Sequence, residues 1–159
     1  MILGTASATL IGAMFVVVSI GIGLLTRDRG TAIGTFLTST VTNLSTTLLG
    51  AALTMVPVLD WLWLGGIVGV AGIAGLVYAL RALRGFDQHS GTDHSDWFWY
   101  AIFPIIGYAL LLVAAAAALR GMAVSLDLFA AALALFLAAG IRNAWDMIVF
   151  LVTQPRPPG

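Results

Sequence analysis

The sequence has no cysteine, no lysine and no glutamate, and only two histidines. Lacking cysteine, the chain forms no disulfide, no thiolate metal site and no thiol redox couple. Its charge rests on seven arginines and seven aspartates, which cancel formally, so no basic face large enough for nucleic acid can be assembled. Charged residues make up 9% of the chain, against about 25% in an ordinary soluble domain. Most of them lie between apolar runs. So small a stock of acid–base groups speaks against a hydrolase or oxidoreductase, and no cofactor is expected. There is no Walker loop, GxSxG elbow or HExxH pair.

What the sequence does have is hydrocarbon. Of the 159 residues, 60% are hydrophobic, and the mean hydropathy is +1.04. No water-soluble fold of this size has interior enough for that many apolar side chains, so lipid must cover the remainder. Five runs reach the length of about 20 residues that a crossing needs: 4–25, 31–57, 61–83, 97–119 and 122–152. Backbone in lipid must satisfy its own hydrogen bonds, so each run is expected to be helical. The runs are unbroken rather than alternating, which excludes a membrane barrel. The expected fold class is all-α: a polytopic membrane protein whose five transmembrane helices form one domain over 1–154, followed by a disordered Pro-rich tail at 155–159. No basic segment precedes the first run, so it is read as a retained span rather than a signal peptide.

Arginine placement predicts the orientation. In a five-span chain Arg27, Arg29, Arg81, Arg84 and Arg156 fall on one side and Arg120 on the other. Short arginine-rich loops stay cytoplasmic, which puts the N-terminus outside and the C-terminus inside. Trp61 and Trp63 open the third span, and Trp97, Phe98, Trp99 and Tyr100 open the fourth, at the heights of interfacial aromatic belts.

The second span is unusual. It reads TAIGTFLTSTVTNLSTTLLGAALTMVP. At about 100° per residue, Thr31, Thr35, Thr38, Ser39, Thr42, Ser45 and Thr46 share an arc of roughly 120°. Ile33, Leu37, Val41, Leu44, Leu48 and Met55 collect on a separate apolar arc, expected to face lipid. Further along, the polar arc turns apolar at Leu49, Leu53 and Val56. Two readings stand side by side. In one, the hydroxyls bond back to their own helix or across to neighbours. In the other, they line a water-filled passage around an oligomer axis, with Asn43 at the edge of the stripe and Leu49, Leu53 and Val56 as a dewetting gate. Arg27 and Arg29 would stand at the inner mouth of such a passage.

Span three carries the small-xxx-small pairs Gly65/Gly69 and Ala71/Gly75, as close helix packing requires. Pro104 is expected to kink span four. In span five, Arg142 and Asp146 are four residues apart and can pair on one face. That pair is either a structural ion pair at the interface or, if deeper, a conducting or gating element. Asp127, with Ser125, is expected to cap the helix start. The loop GFDQHSGTDHSD holds His89 and His94, weak candidates for a metal site or a pH sensor beside the simpler reading of a solvated turn.

The segments TASATLIGAMFVVVSI at 5–20 and IRNAWD at 141–146 resemble a family of small uncharacterised bacterial inner-membrane proteins. The resemblance implies a multi-pass protein of the bacterial cytoplasmic membrane, and no activity, cofactor or site comes with it. The five-span size is also that of the tryptophan-rich translocator proteins, but TRDRG stands where their Trp/Pro loop belongs, so that match is set aside. The expected function is a homo-oligomeric channel or passive pore for ions or small solutes, with a ring of copies completing the wall. The alternative is an accessory subunit whose polar stripe docks on a partner membrane protein.

Overall fold

The computed structural model describes the backbone of residues 1–21, 27–57, 60–86 and 102–153, with side chains for 1–19, 37–57, 60–81 and 102–149. Among the described residues all regular structure is helical. Helix α1 runs Ile2–Gly21, α2 Arg27–Leu53, α3 Trp61–Phe86, α4 Phe103–Leu119 and α5 Ser125–Thr153. Within these, Ile2–Ser19, Trp61–Arg81 and Ser125–Val149 are long and apolar enough to cross a membrane, and Phe103–Leu119 is apolar but shorter. The start of the expected fourth span and the tail at 155–159 lie outside the described residues.

Boundaries follow local chemistry. Helix α2 ends at Leu53, and a turn leads to Pro57, whose ring disfavours helical geometry in the residue before it. Val56 therefore lies beyond the helix rather than on it. Pro104 falls in the first turn of α4 as described, where a missing N–H costs no intrahelical bond, and the residues ahead of Ile102, on which the expected kink depends, lie outside the described residues. Between α4 and α5 the chain reverses at Gly121, whose φ of 67° is a conformation only glycine adopts without strain.

The helices run alternately up and down. Ser7 and Gly4 of α1 meet Leu44 and Ala51 of α2 respectively, so those two helices are antiparallel. Ser39, Leu44 and Gly50 of α2 meet Asn143, Gly140 and Leu133 of α5, again antiparallel. Gly65, Gly72 and Gly75 of α3 meet Leu119, Leu112 and Tyr108 of α4. Helix α5 is central, packing on α1, α2 and α4, while α3 rests mainly on α4. The main core joins Phe136, Phe129 and Leu133 of α5 to Tyr108 and Leu111 of α4, Leu64 and Val68 of α3, and Ala51 of α2. Tyr108 and Phe136 have ring centroids 4.7 Å apart at 54°, a tilted aromatic pair. A smaller core of Met14, Ala144 and Met147 closes the other end. Large apolar side chains such as Val70 and Trp63 remain on the outside, as lipid permits.

Candidate functional site

Helices α1 and α5 pack on α2, and the two meet at Leu44. Helix α1 approaches at Leu44, whose carbonyl accepts a hydrogen bond from the Ser7 hydroxyl, and at Ala51. Helix α5 covers Ser39, Leu44, Thr47 and Gly50. Helix α4 comes near α2 where Tyr108 lies beside Thr46. The remaining side of α2, carrying Thr38, Thr42, Ser45, Leu49 and Ala52, faces outward: Thr38, Leu49 and Ala52 are exposed, and Thr42 and Ser45 are half-buried.

The hydroxyl stripe is thus divided. Ser39 and Thr46 form its inward shoulder. Ser39 Oγ accepts from Asn143 Nδ2 at 3.3 Å, and the Thr46 hydroxyl also donates to its own helix at the Thr42 carbonyl, 2.8 Å away. Thr38, Thr42 and Ser45 lie on the outward side. The side chains of Thr31, Thr35, Arg27 and Arg29 lie outside the described residues, as do His89 and His94 altogether. The three apolar residues at the outer end also part company. Leu49 is 69% exposed, Leu53 packs against the main core, and Val56 sits beyond the end of the helix.

Leu44 does not face lipid as its arc implied: it is fully buried, with Gly140 opposite. The inner face of α2 is itself polar in part, since Thr40, Asn43 and Thr47 are buried with Leu44 and Ala51. The Thr47 hydroxyl is shared between the Asn43 carbonyl at 3.1 Å and, across the interface, the Leu133 carbonyl of α5 at 3.3 Å. Hydroxyls at helix contacts in lipid do this because no water is present to take the bond. Sequence reasoning put Asn43 at the edge of the stripe and gave no role to Thr40, Ser7 or Asn143. Ser7 sits between Ala6 and Ala8, a run of small residues that marks close packing and was the available signal.

Three buried polar atoms have no hydrogen-bond partner among the described residues: Asn43 Nδ2, Asn143 Oδ1 and Ser125 Oγ. Ser125 does not cap α5 with its side chain. Its hydroxyl instead borders a cavity of about 10 Å³ lined by Leu64, Val68, Ala114, Ala115, Ala118 and Phe129. Arg142 and Asp146 do pair, with Nη1 and Oδ1 2.6 Å apart and side chains 39% and 23% exposed. Arg142 lies about 26 Å along α5 from Ser125, at 1.5 Å per residue, which is close to the full thickness of a hydrocarbon core. Trp145, an interfacial residue type, is exposed between them.

Comparison with protein-family models, curated proteins and solved structures finds no match to this chain.

Proposed function

We propose that the chain is a five-span protein of the bacterial inner membrane that assembles into a homo-oligomeric passive conduit, with the outward side of α2 toward the shared axis. The observation that carries this reading is the direction of the hydroxyls. Thr38, Thr42 and Ser45 lie on the side of α2 that α1, α4 and α5 leave uncovered. Such hydroxyls can bond within their own helix, as Thr46 does to the Thr42 carbonyl, but a polar strip on the outside of a membrane bundle is better accommodated by water or protein than by acyl chains. A ring of copies supplies both, and hydroxyls around its axis replace part of a solute's hydration. Leu49, one turn beyond Ser45 and largely exposed, is the apolar constriction.

The antiparallel order supports an N-out orientation. It gathers the start of α2, the end of α3 and the end of α5 at one end of the bundle, together with Arg27, Arg29, Arg81, Arg84 and Arg142, and leaves Arg120 at the other. Positive charge marks the cytoplasmic side. Arg27 and Arg29 at the inner mouth raise the local anion concentration and tilt selectivity toward anions. The resemblance of 5–20 and 141–146 to small bacterial inner-membrane proteins supports the location.

Reconstitution in planar bilayers tests the reading. The wild-type chain is expected to conduct, and Leu49→Ser to conduct more by wetting the constriction. No current from either, with a monomer by native mass in nanodiscs, overturns it in favour of a stripe that docks on a partner membrane protein.

A further inference from the structure

We propose that Asn43 of α2 and Asn143 of α5 hold a single water molecule between them inside the membrane, a bridge that fixes the rotation of α2 against α5. The chain has two asparagines in all, and both are buried on facing helices, Asn43 2% and Asn143 0% exposed. Each keeps one polar atom without a partner among the described residues. The two atoms are complementary: Asn43 Nδ2 donates and Asn143 Oδ1 accepts. A buried polar atom left unsatisfied in a membrane is costly, because bulk solvent does not reach it.

Helix register sets the two amides one turn apart. Ser39 meets Asn143, and Leu44, next to Asn43 in the chain, meets Gly140. Asn43 stands four residues beyond Ser39, about 6 Å along the axis at 1.5 Å per residue. Side chains lean toward the N-terminus of their own helix. In the antiparallel pair formed by α2 and α5, that tilts Asn43 and Asn143 toward each other. The Asn143 amide is turned by its bond to Ser39 Oγ, 3.3 Å away, which leaves Oδ1 as the free end. The two amides do not bond directly. Two hydrogen bonds through one oxygen span roughly 5.5 Å, close to the one-turn interval.

The chemistry of the guest follows from these groups. Ala139 and Gly140 are the residues on the buried face of α5 between Phe136 and Asn143, so the wall opposite Asn43 is made of small residues. Leu44 fills the space over Gly140. Water accepts from Asn43 Nδ2 and donates to Asn143 Oδ1, and helix carbonyls, each with a second lone pair, take its other hydrogen. A metal cation does not suit, because Asn43 presents a donor. Asn43 lies about 140° around the helix from Thr38 and about 160° from Ser45, at about 100° per residue. Holding it inward therefore holds those two hydroxyls outward. The site lies on the other side of α2 from the surface assigned to the conduit and does not depend on that reading.

With no third asparagine in the chain, labelling with 15N-asparagine gives two side-chain amide groups to observe. In rotating-frame NMR spectra of the full-length protein in nanodiscs, the Asn43 amide protons, assigned by their loss in Asn43→Leu, are expected to show a dipolar contact with long-lived water. Chemical exchange has the opposite sign and is separated on that ground. A contact with the Asn143 amide in place of water means that the two bond directly and overturns the site, as does no contact of either kind. Melting midpoints provide a second measurement. Asn43→Leu and Asn143→Leu are each expected to lower the midpoint by stranding the other amide, and the double variant to lower it by less than the sum of the two. Additive shifts overturn the bridge. Water contact without bilayer current sinks the conduit and leaves the bridge standing. Current without the contact does the reverse.

Discussion

The ring of Tyr108 on α4 fills the space that a side chain at Gly75 of α3 would need: a Cβ there would lie inside the ring's own volume. Tyr108 is held from another side as well, by Phe136 at 4.7 Å between centroids, and it is buried. It has nowhere to move. Gly75→Ala is therefore expected to destabilise by about 1–3 kcal/mol through overpacking. Gly66 lies on the same helix with nothing within 4 Å of its would-be Cβ. Gly66→Ala is expected to be neutral or to stabilise by up to about 1 kcal/mol through helix propensity. Thermal melts in one detergent compare the two, and equal effects would show that the α3–α4 contact does not depend on Gly75.

Ser39 and Asn143 join α2 to α5 at a partly buried point, Ser39 half-buried and Asn143 fully buried. Ser39→Ala leaves the Asn143 amide without this acceptor and is expected to cost about 1–3 kcal/mol. Replacing both with Ala and Leu restores a matched apolar contact and recovers part of that loss. A double-mutant cycle by chemical denaturation in micelles measures the coupling, expected near 0.6 kcal/mol and at most about 1.7 kcal/mol, as for other hydrogen bonds between membrane helices. A coupling of zero means that the bond contributes nothing.

The Ser125 hydroxyl has no partner among the described residues although it is buried, 2% exposed. Removing an unsatisfied buried hydroxyl relieves its desolvation cost. Ser125→Ala is thus expected to raise stability by about 1 kcal/mol. A fall in the melting midpoint would show that the hydroxyl is satisfied in the membrane.

Arg142 and Asp146 form a partly exposed pair on one face of α5. At a membrane interface such a pair contributes at most about 1 kcal/mol, whereas breaking a deeply buried pair costs about 3–5 kcal/mol. Asp146→Asn is expected to fall in the smaller range and to lose its effect in high salt. A large, salt-independent loss would place the pair at membrane depth and make it a candidate element of the conducting path.

Some of this was legible in the residues alone. Long apolar runs forced helices, because lipid offers the backbone no other partner. The count and chain order of the elements, the Arg142–Asp146 spacing and the presence of a hydroxyl-rich face on residues 31–47 follow from composition and period. The limits of those elements were less legible. The turn ahead of Pro57 ended α2 at Leu53 and took Val56 off the helix. Gly140 set where α5 meets α2, and that closeness drew Leu44 inward.

A helical wheel fixes arcs relative to one another but not which arc meets a neighbour. In water the apolar arc must turn inward. In lipid an apolar side chain is equally at home against acyl chains or protein, so hydrophobicity gives no direction. The sequence therefore determined that this chain is a bundle of membrane-compatible helices with one hydroxylated element. Only tertiary packing, through small residues and interhelical hydrogen bonds, decided that Thr40, Asn43 and Thr47 turn inward while Thr38, Thr42 and Ser45 face out.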